Sequence, residues 1–396
     1  MFDKLSPEVL RMIEHYLSDH DRLNLSMVSK SMHRRMIPFL YESITIPLDD
    51  KRLDEIDIPV RRTCFYEKTT GTFNSFAYVR ELELLALWHG ARYNKCNSYA
   101  EGCWGGGKSS HDVAMERLRE KLEGAFGNLR RNSLRTFAWH LDCCVPNGLL
   151  GAYGHIPLYQ KEIHFISLNT GGTCAAAVDL SGLAAMSDLR SIRWEGIDPS
   201  GDPESLYQTL VANSKHLQRL DLEVHRLEDA SSFQSSVECG GWDVDEFTSN
   251  LNSPLKEAVD LHSVRHLSLS RISLEWAYEQ MVTVFQLDRL YTLTLRSCPY
   301  TMQFIARLAF SGMRFKLLSL KLLCFEGAGG FEDIGGWVEN TFSLFLAGCG
   351  DLETLVVSRH STLAVRTELC PRLLSLKVLD EEEYVLCPPR HLYMLT

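Results

Sequence analysis

Along most of the chain the apolar positions follow one short recurring pattern, apolar-x-x-apolar-x-apolar. Its middle residue falls at Leu82, Phe137, Ile166, Ile192, Leu220, Leu267, Leu293, Leu320, Leu355 and Leu376, for example in Leu217-Gln-Arg-Leu220-Asp-Leu222 and Leu290-Tyr-Thr-Leu293-Thr-Leu295. Successive spacings are 55, 29, 26, 28, 47, 26, 27, 35 and 21 residues. Most are the length of one strand-and-return repeat, and 55 and 47 are two periods or one period with an insertion. A short strand with alternate apolar residues cannot bury them alone, so the pattern predicts strands stacked in a parallel sheet and backed by helices. The intervening segments support this. Leu118, Leu122 and Phe126, then Leu206, Leu210 and Val211, then Phe304, Ile305 and Leu308, then Trp337, Val338, Phe342 and Phe345 have helical spacing.

The first 46 residues differ in period. Ser6 is placed to cap a helix that opens with Pro7 and Glu8, and Val9, Leu10, Ile13 and Leu17 fall on one stripe. Ser18-Asp19-His20-Asp21 offers new caps. Leu23, Met27, Val28, Met32 and Met36 then continue the apolar spacing to Pro38, which is expected to end the helix near Ile37. Six Lys/Arg balance six Asp/Glu over residues 1–46, so this module is expected to bind a partner through apolar packing.

The run LSPEVLRMIEHYLSDHDRLNLSMVSKSMHRRMIPFLYESITI resembles an F-box in the form common in fungal proteins. Leu5, Pro7, Glu8, Leu10, Ile13, Leu17, Leu23 and Val28 stand at the family's places; Met32 replaces an aromatic usual after the basic pair. The resemblance implies a three-helix unit that docks on the Skp adaptor of SCF ubiquitin ligases, and through it on a cullin, with Leu5, Pro7, Leu10, Ile13, Leu17 and Val28 as the adaptor-binding residues. The recurring segments resemble leucine-rich repeats, in degenerate form: the asparagine that usually follows the strand is mostly missing, with Cys298 in its cysteine form and Ile197, Ile272 and Phe325 as apolar substitutes. The lead-in, Phe39 to Ile46 and then Phe76 to Leu82, also resembles fungal F-box proteins.

The resulting expectation is an α/β chain. It has an F-box over 1–46, a linker over 47–77, a leucine-rich-repeat solenoid over 78–380 with loop insertions at 88–111 and 225–262, and a tail over 381–396. Residues alternating with the buried leucines would form an exposed concave face: Glu81, Glu83, Arg193, Glu195, Arg219, Asp221, Glu223, His266, Thr294, Arg296, Lys321, Ser358 and Lys377. Acids dominate early and bases late. That row reads equally as a substrate-binding surface or as a solvated face.

Charge narrows the partner class. The 396 residues carry 41 Lys/Arg against 51 Asp/Glu, a net charge of −10, which disfavours a broadly basic nucleic-acid or membrane-surface binder. Residues 225–262 contribute eight acids against two bases. No stretch approaches the roughly 18 apolar residues of a membrane span, and there is no signal-peptide pattern. We read a soluble protein of the cytoplasm or nucleus whose twelve scattered cysteines are reduced.

Three chemistry-like patterns read as structure. Gly102-Cys-Trp-Gly-Gly-Gly107-Lys108-Ser109 satisfies the phosphate-loop pattern, but the residues before it are polar and unlike a buried strand, so a flexible glycine loop is preferred to an NTPase. His89, Cys96, Cys103 and His111 could surround zinc, yet lack any C-x-x-C knuckle. Cys143-Cys144, near His140 and Asp142, read as packing thiols rather than nucleophiles. The expected function is therefore that of a non-catalytic ubiquitin-ligase subunit, without metal or cofactor, that holds an unknown protein substrate. The alternative is a non-degradative repeat scaffold.

Overall fold

A computed structural model describes residues 5–14, 16–48, 75–86, 110–141, 143–146, 148–170, 179–197, 203–224, 260–274, 277–323, 337–358 and 367–379. The chain forms two compact units, residues 1–189 and 190–396. The first three helices fall in the first unit together with the first strands, and the chain passes from the third helix into the sheet within three residues.

The first unit opens with α1 (Pro7–Glu14), α2 (Asp19–Met27) and α3 (Lys30–Leu40). Ser18 and Asp21 form a reciprocal capping box: the Asp21 N–H donates to Ser18 Oγ at 3.2 Å, and the Ser18 N–H donates to Asp21 Oδ2 at 3.3 Å. Ser29 accepts from the Met32 N–H at 3.0 Å and starts α3, a break that apolar spacing alone runs through. Pro38 does not end this helix at Ile37. It lies inside the last turn, where only one backbone donor is lost, and the Tyr41 N–H still reaches the Ile37 carbonyl at 3.1 Å. Met32, Met36 and Ile37 are buried, so methionine fills the place where the F-box pattern has an aromatic.

The strand β1 (Ser43–Leu48) follows at once, then β2 (Glu81–Ala86), α4 (Ser110–Phe126), β3 (Thr136–His140), the short helix α5 (His155–Tyr159) and β4 (Phe165–Asn169). The parallel ladder thus begins at Ser43, inside the segment read as helical module and linker. Its register puts Leu82 opposite Ile44 and Phe137, and Phe137 opposite Ile166. The next column, Ile46, Leu84, Trp139 and Leu168, is buried throughout, whereas Ile44 at the start of the first column is half-buried. Leu118, Leu122 and Phe126 of α4 are buried, as their spacing predicts.

The second unit contains β5 (Ser191–Ile197), α6 (Pro203–Asn213), β6 (Arg219–Val224), β7 (His266–Ser270), α7 (Ala277–Val284), β8 (Thr292–Arg296), α8 (Thr301–Phe310), β9 (Ser319–Leu323), α9 (Trp337–Ala347), β10 (Thr354–Ser358) and β11 (Ser375–Leu379). These strands pair in chain order, all parallel, and the middle residues of the sequence pattern form one column: Ile192, Leu220, Leu267, Leu293, Leu320, Leu355 and Leu376. All of that column is buried except Leu376 of the last strand. Leu261 is buried as well and its N–H donates to the Val284 carbonyl, so the second insertion gives way to the repeat by residue 261.

Within each unit the repeats share a lead-in. Two consecutive N–H groups before or at a strand start donate to one carbonyl of the previous repeat: Arg135 and Thr136 to Arg80, Gln218 and Arg219 to Arg190, Tyr291 and Thr292 to Arg265, Leu374 and Ser375 to Glu353. This fixes the register before the strand begins. Cys298 has a comparable role after β8: its buried thiol donates to the Leu269 carbonyl of β7 at 3.3 Å, which explains a cysteine where the pattern usually has asparagine. Burial pushes the Cys298 thiol up to about 11 and the Cys349 thiol up to about 12. Both are therefore expected to resist alkylation at pH 8 in the folded protein. Their contribution favours the fold below pH 9 and is lost as pH rises toward those values. Peptide mapping after timed iodoacetamide treatment checks this; labelling of either thiol at the rate of an unfolded control contradicts it.

No helix among the described residues is long and apolar enough to cross a membrane. The insertion at 88–109, most of 225–262, residues 49–74 and the tail 381–396 lie outside the described residues.

Candidate functional site

Two surfaces stand out, one in each unit, together with the apolar face of the first three helices. Of the residues matched to the F-box adaptor contacts, Val28 is 72% exposed, and Leu5, Ile13 and Leu17 are half-buried. Leu10 departs from the expectation. It is 3% exposed, so it holds the helices together and is not available for contact. The backbone of Pro7 opens α1 as read, while its side chain lies outside what is described. The sequence pattern missed further members of this surface: Met12, Tyr16 and Met27 are 66%, 91% and 67% exposed. Met12 and Tyr16 lie between the positions that carry the resemblance, and Met27 stands in the apolar spacing but is not assigned to contact.

On the strand face of the first unit, four consecutive strands each supply one link of a hydrogen-bonded chain. Thr45 of β1 donates to Glu83 Oε2 at 3.1 Å, Glu83 Oε1 of β2 lies 2.9 Å from His140 Nδ1 of β3, and His140 Nε2 lies 2.7 Å from Ser167 Oγ of β4. A carboxylate only accepts, so Nδ1 donates to Glu83 and Nε2 is left to accept the Ser167 hydroxyl. The connectivity is that of a serine-histidine-acid relay. Ser167, however, is 1% exposed, which leaves no access for a substrate carbonyl, and the chain serves to pin the register of β1 to β4. Of the residues named from sequence, Glu83 belongs to this network and Glu81 is exposed beside it. Alternation puts all four side chains on one face; their meeting depends on pairing across an insertion.

Cys143 and Cys144 are buried and the Cys143 carbonyl accepts the Trp139 Nε1–H at 2.9 Å, so these thiols pack as expected, and His140 is engaged elsewhere. The glycine run 102–109 and His89, Cys96 and Cys103, which the sequence reading sets aside as zinc ligands, fall outside the described residues, as does the side chain of His111.

The strand face of the second unit collects Arg193, Glu195, Arg219, Asp221, Glu223, Arg296 and Lys321, all half-buried, and Lys377, exposed on the last strand. The acids are not open as the sequence row suggested. Arg193 pairs with Glu195 two residues on; Arg219 Nε donates to Asp221 Oδ2 at 2.8 Å; Arg271 reaches Glu223 at 3.0 Å. An i, i+2 pair on a strand shares one face, so each arginine lies beside its acid. Asp221 is nevertheless held above the usual carboxylate range, because burial outweighs the attraction of Arg219. His266 is lowered by burial and by Arg219, and Lys321 is lowered by burial and by the nearby Arg219 and Lys377.

No protein-family model matches the chain, and no curated protein matches it in sequence. Among solved structures, the leucine-rich repeat-containing protein LegL7 from Legionella pneumophila aligns over 86% of this chain and 91% of its own, at 12% identity and a TM-score of 0.34.

Proposed function

We propose that the chain is a non-catalytic receptor: the helices α1 to α3 bind a Skp-type adaptor, and the repeat strands hold a protein target for an SCF-type ubiquitin ligase. The observation that carries the reading is the set of large apolar side chains left in solvent on a small helical module, namely Met12, Tyr16, Met27 and Val28. Methionine and aromatic side chains are enriched at protein interfaces, and several of them facing water on one small module is a feature a partner removes. The module's balanced charge agrees with apolar docking, and the sequence pattern from Leu5 to Val28 supplies the adaptor class. The receptor's contribution is proximity and orientation of the target, which needs no catalytic group of its own.

Co-expression with a Skp adaptor followed by size-exclusion chromatography tests this. A one-to-one complex is expected, weakened at least about 30-fold by Met27→Asp with Val28→Asp, since two charges would be buried without partners. Both side chains are exposed, so the variant keeps the wild-type circular dichroism. A folded wild type that ignores the adaptor overturns the receptor reading and leaves a repeat scaffold.

A further inference from the structure

Among the described residues, basic side chains gather at one end of the strand face of the second unit. The three acids, Glu195, Asp221 and Glu223, are each matched by an arginine. Beyond them, from β7 to β11, the positions that alternate with the buried columns carry no acid, but they include Arg296, Lys321 and Lys377. Among the described residues neither Arg296 nor Lys377 meets a carboxylate. Lys321 and Lys377 occupy the same register row with Val356 between them, about 10 Å apart at the spacing of two strands. One step along the strands runs a row of hydroxyls, Thr292, Ser319, Thr354 and Ser375, in register. Lys321 feels Arg219 and Lys377 as well as the opposite charge of Asp221, so an anion placed beside Lys377 and Arg296 adds to the attraction that Asp221 already supplies.

We propose that the strand face of β8 to β11 docks an acidic segment of a partner protein, with Arg296, Lys321 and Lys377 receiving its anionic side chains and the hydroxyl row donating to them. This names the target chemistry for the repeat face and rests on the receptor reading only for the consequence of binding. A polypeptide fits better than a nucleic acid. No aromatic stands at these strand positions to stack on a base. Arg296 to Lys377 spans three strand spacings, about 15 Å, the reach of four or five extended residues. The anion is a carboxylate or a phosphoryl group, which share this recognition chemistry.

Fluorescence anisotropy on the full chain uses three labelled peptides of one length: alternating Glu and Ser, alternating Gln and Ser, and the second with phosphoserines. Either acidic peptide is expected to bind in preference to the neutral one, to weaken with added salt, and to weaken at least about tenfold in Arg296→Gln with Lys377→Gln. Tighter binding of the phosphoserine peptide than of the Glu peptide assigns the phosphoryl source; the reverse assigns carboxylate. Equal binding of the neutral peptide, no binding of both acidic ones, or undiminished binding to the double variant overturns the proposal. The variant leaves α1 to α3 untouched, so adaptor binding reports separately on the receptor reading.

Discussion

Trp139→Ala is expected to destabilise the first unit by about 4 kcal/mol. Trp139 is fully buried in the second apolar column of its ladder, between Leu84 and Leu168. Truncation removes the transfer energy of a whole indole and leaves a cavity that the flanking strands β2 and β4, tied by the Thr45 to Ser167 chain, cannot collapse. It also strands the Cys143 carbonyl, which accepts from the indole N–H. Trp139→Phe separates the two contributions: it keeps most of the volume and loses the hydrogen bond, for about 1 to 2 kcal/mol. Hydrogen exchange of the first unit's amides is the suitable measurement, because two compact units need not unfold together. An alanine variant whose β3 and β4 amides exchange within about 1 kcal/mol of wild type contradicts this packing account.

Arg219→Met is expected to cost the second unit about 2 kcal/mol near neutral pH and distinctly less in mild acid. The Asp221 side chain is only 16% exposed and its carboxyl already sits above the usual range, since burial outweighs Arg219. A carboxyl raised in the folded state contributes most to stability below its unfolded value, 3.8, and loses that contribution as pH rises through the folded one. Removing Arg219 raises Asp221 further, so the variant's deficit grows with pH over the range where wild-type Asp221 ionises and the variant's resists. Arg219→Met with Asp221→Asn is expected to recover much of the loss at neutral pH, because no buried charge is then left without its partner. Urea unfolding of the three proteins at pH 4.5 and 7.5 decides it. A deficit equal at both pH values, or a double variant no better than the single one, assigns the loss to packing of the arginine stem instead.

The repeats were legible because their physics is periodic. A strand that alternates buried and open positions writes its own face assignment into the chain, and ten such segments, from Leu82 to Leu376, fall on ten strands. Helical spacing located Leu118, Leu122 and Phe126 equally well. The errors occurred where one local signal competed with context. Pro38 is a helix breaker by rule, but in the last turn of α3 it removes one donor and the helix continues to Leu40. The apolar spacing from Leu23 to Met36 runs across Ser29, although that serine caps a new helix. Leu10 matched a docking position yet is turned inward, since a short helical module has few other side chains with which to build its own interior.

The sequence by itself determined the ten strands from β2 to β11, which face their residues take, and that the interior is built from leucine columns, because those follow from a period of two within each repeat; the strand β1 it left in the helical module and linker. It also placed Glu83, Arg219, Asp221, Arg296, Lys321 and Lys377 on open faces. Only the tertiary structure decided what those residues do there. It paired each acid of β5 and β6 with an arginine, joined Thr45, Glu83, His140 and Ser167 into one chain across β1 to β4, and left the cations of β8 to β11 with no acid at their own strand positions. Those outcomes depend on lateral register between strands about 5 Å apart, set by backbone contacts between repeats that lie as many as 55 residues apart in sequence, and no local pattern encodes them.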